Sequence, residues 1–170
     1  MAATPVKTLR IGVYGPASSG KSLLILRWCN PSLSMDEDDL TGNPFTNLYK
    51  TSSFDSAGVE LIEHPSDDKL DQTEDRFIIV ANLIGWRDIY EQAIKVNSGN
   101  TFLVFTWKDR PSSGALSSKI HEKHEDCSSY SGVNFEQFKT SVLRRPGGSG
   151  GSNRKKKKRT ITDDDGWSKK

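Results

Sequence analysis

Leu9, Ile11 and Val13 alternate with Arg10, Gly12 and Tyr14, the two-residue period of a strand with one buried face. The strand runs into GPASSGKS at 15–22, and Leu23 to Cys29 follows as an apolar, helix-compatible run stopped by Asn30-Pro31, since a residue before proline avoids helical geometry. Leu48 to Phe54 and Val59 to His64 read as two strands around Asp55-Ser56-Ala57-Gly58, a hairpin turn. Residues 65–75 are polar and acidic, a loop or a short exposed helix. Phe77 to Leu83 is continuously apolar, the mark of a strand covered on both faces. A helix is predicted over 85–97, with Ile89, Ala93, Ile94 and Val96 near one face and Ser98-Gly99-Asn100 as its stop. Thr101 to Thr106 is another buried strand. Residues 112–126 are polar, with a short helical stretch conceivable at 116–124. Val133 to Leu143 reads as a last helix, closed by Pro146. Strands alternating with helices predict an α/β fold with a mostly parallel sheet.

Charge changes this picture at one end. The chain of 170 residues carries 24 Lys+Arg and 22 Asp+Glu, a net +2. Residues 146–170 hold 8 basic and 3 acidic residues, and residues 1–145 hold 16 and 19, so the total is the sum of +5 and −3. The tail has only Ile161 and Trp167 as large apolar residues, too little burial to offset chain entropy, and is expected to be disordered. The expected organisation is a folded domain over 1–145 and a Gly/Ser linker with a polybasic tail over 146–170. No apolar run reaches the roughly 18 residues of a membrane span, and no secretory signal is visible at Met1 to Lys7. Cys29 and Cys127 do not make a disulfide framework. A reducing, cytoplasmic compartment is the expectation, with nuclear or peripheral-membrane placement open through the tail.

GPASSGKS satisfies G-x-x-x-x-G-K-[ST] between a strand and a helix, the context that phosphate-binding loops require. Gly15 and Gly20 let the backbone curl around one centre. The amides of Pro16–Ser22 that carry an N–H, those of Ala17, Ser18, Ser19, Gly20, Lys21 and Ser22, then face phosphate oxygens at a helix N-terminus. Lys21 reaches the β- and γ-phosphates, and the Ser22 hydroxyl is placed to ligate Mg²⁺. His64, His121 and His124 lack the spacing of a zinc site and are read as surface polar residues.

The order of strand, GPASSGKS, short helix, acidic loop, hairpin and alternating strands and helices resembles a Ras-superfamily small GTPase over residues 8–145. Phe102-Leu103-Val104-Phe105-Thr106-Trp107-Lys108-Asp109 stands where that family has a strand ending in N-K-x-D. Glu125-Asp126-Cys127-Ser128-Ser129-Tyr130 resembles its E-[TC]-[SC]-A-K/T segment. The IGVYG…SSGKS start and the E-D-C-S-S-Y segment are also similar to the GTPase-like domain of centaurin-gamma-type Arf GAPs. The resemblance implies a P-loop, G-domain-like α/β fold: a mostly parallel sheet with one antiparallel edge hairpin and helices on both faces. It implies GTP or GDP as ligand with Mg²⁺, Asp109 reading the base, Ser128 and Ser129 backing it, and a monomeric switch whose effectors meet loop 31–47. Trp107 is placed to stack on the base. Thr41 or Thr46, in that acidic loop, would supply a second metal hydroxyl.

Departures from the family pattern are as informative. Thr106 and Trp107 replace Asn and Lys, and Ala17 replaces a Gly. The D-x-x-G motif has two candidates. Asp55-Ser56-Ala57-Gly58 matches the letters, while Glu63-His64-Pro65-Ser66 ends the more apolar strand and is favoured on that ground. On the second alignment the γ-phosphate-sensing Gly is lost and Asp67 stands in place of the water-positioning Gln, so hydrolysis should be slow. A pseudo-GTPase used for protein interaction, or a phosphate-loop kinase or ATPase of another family, are the competing readings. Arg154 to Arg159 is six consecutive cations, which fits contact with an anionic membrane or recognition by an import receptor. The C-terminal Trp167-Ser168-Lys169-Lys170 carries no prenylation motif.

Overall fold

A computed structural model describes residues 7–32, 51–81, 84–106 and 120–144. The expectations on Thr41, Thr46, Trp107, Asp109 and the tail from residue 146 lie outside the described residues, as does most of the acidic loop.

Among the described residues, six strands form one sheet in the order β2-β3-β1-β4-β5-β6. They are β1 (Arg10–Tyr14), β2 (Thr51–Phe54), β3 (Glu60–Glu63), β4 (Arg76–Ala81), β5 (Thr101–Phe105) and β6 (Glu125–Asp126). All neighbouring pairs are parallel except the β2–β3 hairpin at the edge. Three helices among the described residues pack on the sheet: α1 (Lys21–Cys29), α2 (Arg87–Asn97) and α3 (Phe135–Leu143). A short 3₁₀ turn, Ser98–Asn100, leads from α2 into β5. No helix among the described residues is long and apolar enough to cross a membrane.

Strand periodicity sorts the core into two layers. Ile11, Val13, Ile78, Val80 and Val104 face α1 and α3, where Leu24, Trp28, Phe135, Phe138 and Val142 meet them. Tyr14, Phe77, Ile79, Ala81, Leu103 and Phe105 face α2, through Trp86 and Ala93. Every residue of β4 is buried, because both faces of a central parallel strand are covered. Trp28 is completely buried, with Phe135 and Phe138 edge-on to it at centroid distances of 6.5 and 6.3 Å.

Two expectations need correction. Residues 120–124 form no helix, and Glu125–Asp126 instead adds a sixth strand parallel to β5. Its two acidic residues carry no strand periodicity, so pairing with β5, not side-chain pattern, makes it a strand. Secondly, His64 is not a surface residue. It is fully buried, for reasons given below.

The hairpin turn also has a structural role. Both Asp55 oxygens are occupied: Oδ1 accepts the amides of Ala57 and Val59, each at 2.9 Å, and Oδ2 accepts the Trp28 indole N–H at 3.0 Å. Lys139 of α3 lies 3.8 Å from Oδ2. Burial raises the Asp55 pKa, but these donors outweigh it and hold the carboxyl below its ordinary value. One carboxylate thus joins the hairpin, α1 and α3.

Candidate phosphate-binding site

The parallel strands all end on one side of the sheet, the edge where α/β folds bind ligands. The 15–22 loop leaves β1 there. Gly15 has φ +147°, and a Cβ at this position would lie 2.5 Å from the Val80 carbonyl oxygen. The loop therefore presses against β4 more closely than any side chain allows. Gly20, at φ +99°, turns the chain into α1. Ser18 takes a left-handed φ of +57° between them.

Lys21 opens α1 and folds back over this loop. Its Nζ donates to the carbonyls of Gly15 at 2.9 Å and Pro16 at 3.0 Å. The side chain is buried, and desolvation pushes its pKa down against the opposing charge of Glu63. A desolvated ammonium held by two carbonyl dipoles beside the first amides of a helix is a concentrated positive site.

Ser22 identifies the acidic partner of the loop. Its hydroxyl donates to Glu63 Oε1 at 2.5 Å. Pairing register explains why Glu63 is the one. Val13 pairs with Glu63, one residue before β1 ends, whereas Arg10 at the start of β1 pairs with Glu60. Asp55 lies beyond Glu60, at the opposite end of the sheet. Four residues of strand at about 3.3 Å each separate the two levels. The structure therefore brings Glu63 to the loop and leaves Asp55-Gly58 as a turn.

Ser128 and Ser129 stand at the same edge, after β6. Both are buried. The Ser129 amide donates to the Thr106 carbonyl at 3.4 Å, and the Thr106 hydroxyl donates to the Ser19 carbonyl at 3.3 Å. Thr106 thus stitches the 15–22 loop to the end of β5. Ser128 Oγ accepts the Ser131 amide at 2.9 Å. The Ser129 hydroxyl is buried with no hydrogen-bond partner among the described residues.

Arg27, which sequence reasoning passed over, secures this side. Its Nε donates to the Ser129 carbonyl at 2.9 Å, one terminal nitrogen to Pro31 at 3.1 Å, and the other to Tyr130. One guanidinium therefore ties α1 to the 128–130 segment and to the root of the acidic loop. The available signal was a cation inside the apolar run Leu23 to Cys29. Arg27→Ala should destabilise the chain by about 2 kcal/mol, because buried carbonyls lose charged donors. A thermal melt superimposable on that of the unmodified chain would contradict this role.

The segment joining β3 to β4, residues 64–75, is built on buried polar contacts and contains no helix. His64 Nε2 lies 2.6 Å from Glu74 Oε1, and its Nδ1 lies 2.6 Å from Asp68 Oδ2. The imidazole stacks on the Tyr14 ring at a centroid distance of 4.0 Å. The Tyr14 hydroxyl donates to Glu74 Oε2 at 2.6 Å and accepts the Asp71 amide at 2.9 Å. Burial, then the bond to Glu74, pushes the phenol pKa well up. Gly12 makes the space: a Cβ there would fall 1.8 Å from Glu74 Oε2.

No family model matches the chain, and no curated protein matches it. Solved structures do. The G domain of the FeoB iron transporter of T. maritima aligns with a TM-score of 0.54 at 15% identity, covering 81% of this chain and 98% of that one. The bacterial selenocysteine-specific elongation factor EF-Sec aligns with a TM-score of 0.50 at 12% identity, covering 81% of this chain. The chain spans 28% of the elongation factor's length. The mostly parallel sheet, its antiparallel edge hairpin, the helices on both faces and these neighbours together give the chain the P-loop α/β fold of a G domain.

Proposed function

We infer that this chain is an atypical, Ras-like guanine-nucleotide-binding protein that hydrolyses GTP slowly. The observation that carries the reading is the Lys21–Ser22–Glu63 arrangement at the carboxyl edge of the sheet. On binding, Lys21 would exchange the Gly15 and Pro16 carbonyls for phosphate oxygens. The amides at the start of α1 would take the remaining phosphate charge.

The Ser22 hydroxyl and Glu63 carboxylate, in direct contact, are hard oxygen donors that suit Mg²⁺. Bound there, the ion would neutralise charge between the β- and γ-phosphates. Ser128 and Ser129 back the base, with Trp107 and Asp109 reading it from the stretch after Thr106. Slow hydrolysis follows from the chain's own residues. Ser66 stands where a γ-phosphate-sensing glycine would be, Asp67 where a water-positioning glutamine would be, and Ala17 where a glycine would be.

The test is nucleotide released from purified protein by denaturation, followed by GTP, GDP and ATP titrations with Mg²⁺. The expected result is tight guanine-nucleotide binding, with ATP at least about ten-fold weaker. Equal affinity for ATP and GTP would sink the guanine assignment. A second reading, a pseudo-GTPase used for protein interaction, is favoured by the fastened 64–75 segment. Bound nucleotide with no turnover above the solvent rate would select it. Effectors would meet loop 31–47 in either case, and Arg154–Arg159 would add contact with an anionic surface or an import receptor.

A further inference from the structure

The 64–75 segment begins one residue after Glu63, the carboxylate on Ser22. In a protein whose state is reported through this connection, the segment has to rearrange between nucleotides. Here it is tied down from both ends and from beneath. His64 is held between Asp68 and Glu74. Glu74 reaches under β1 into the space left by Gly12 and receives the Tyr14 hydroxyl. Tyr14 receives the Asp71 amide in turn. Backbone bonds close the frame, from the His64 amide to Val13 at 3.0 Å and from the Asp75 amide to Arg10 at 2.9 Å.

His64 and Glu74 side chains are completely buried. Rearranging the segment would strip several charged or polar groups of partners at once, and buried polar networks are costly to satisfy only in part. The hydrogen bonds that close this frame run within the segment and between it and β1, not to Lys21.

We propose that Tyr14, His64, Asp68 and Glu74 are positioning residues that hold the β3–β4 connection in one conformation, keeping Glu63 on Ser22 whichever nucleotide, or none, is bound. The proposal deepens the nucleotide-binding reading and rests on it for its ligand-bound arms. The metal-side carboxylate is then preformed instead of being assembled on the γ-phosphate.

Amide hydrogen exchange on the full chain tests this in three states: nucleotide-free, with GDP and Mg²⁺, and with a non-hydrolysable GTP analogue and Mg²⁺. Protection across 64–75 should agree within about two-fold in all three, as for a unit that does not open locally. A difference of about ten-fold or more between the diphosphate and triphosphate states would overturn the proposal.

The nucleotide-free arm stands on its own. Tyr14→Phe should raise exchange in 64–75 by about ten-fold while leaving α2 and β5 unchanged, since it removes one hydroxyl from a local frame. Glu74→Gln, which keeps the shape and loses the charge, should act in the same direction. Unchanged exchange in both variants would show that the network does not fasten the segment. Absence of nucleotide binding by the unmodified chain would instead remove the functional reading, and the variants would still decide whether the frame holds.

Discussion

Lys21→Ala is expected to abolish retention of nucleotide during purification and to weaken GTP and GDP binding by about a hundred-fold or more. Removing one partner of a desolvated charge pair costs on the order of 3 kcal/mol, a little over two decades in affinity. The same substitution should barely change the melting temperature of the nucleotide-free chain. Burial lowers the pKa of Lys21 in the fold. A lysine depressed in this way costs stability in full below its folded pKa, and the cost fades as pH rises from there to the unfolded value of about 10.4. Alanine thus removes that cost along with the two carbonyl contacts, and the terms oppose each other. Isothermal titration and a melt of stripped protein measure the two effects separately. Undiminished nucleotide content in the variant would show that the 15–22 loop does not hold phosphate.

Asp55→Ala should give the largest loss of stability, about 3 kcal/mol. It leaves a buried Trp28 indole N–H unpaired, frees the amides of Ala57 and Val59, and removes the anion beside Lys139. Denaturant unfolding measures it, and a loss below about 1 kcal/mol would contradict the junction role. The pH dependence has a defined sign. The folded pKa of Asp55 is lowered, so its contribution is fully present above the unfolded carboxyl value of about 4 and disappears as pH falls through the folded value. Asp75, lowered by Lys7 and by the Arg10 amide despite the burial that opposes them, adds to the same acid limb. Asp55→Asn should flatten that limb while keeping part of the turn.

Much of this was legible in one sequence because the signals were local. The alternation at Ile11 and Val13, the continuous apolar run from Phe77, and the glycines flanking Lys21 each state their structure within a few residues. What escaped was set by distant pairing. Asp55 matched the letters of a metal-side motif better than Glu63 did; the more apolar strand favoured Glu63, and the register of β3 on β1 places it at the loop. His64 looked solvated because its polar neighbours lie in an acidic stretch. Its burial depends on Tyr14, fifty residues earlier, and on the missing side chain of Gly12. Arg27 binds main-chain carbonyls, so its partners leave no trace in side-chain pattern and the only signal is a cation inside an apolar run. Glu125–Asp126 is a strand by virtue of its neighbour alone.

The packing of α1 has a consequence for synthesis. Its apolar face is covered by Phe135 and Phe138, and its Arg27 finds its acceptors at Ser129 and Tyr130. Over a hundred residues must be made before that face is closed. A growing chain therefore exposes Leu24 and Trp28 until α3 emerges. Contacts of such long sequence separation form late and leave apolar surface open to wrong partners meanwhile. The helix that presents Lys21 is made over a hundred residues before the helix that shelters it.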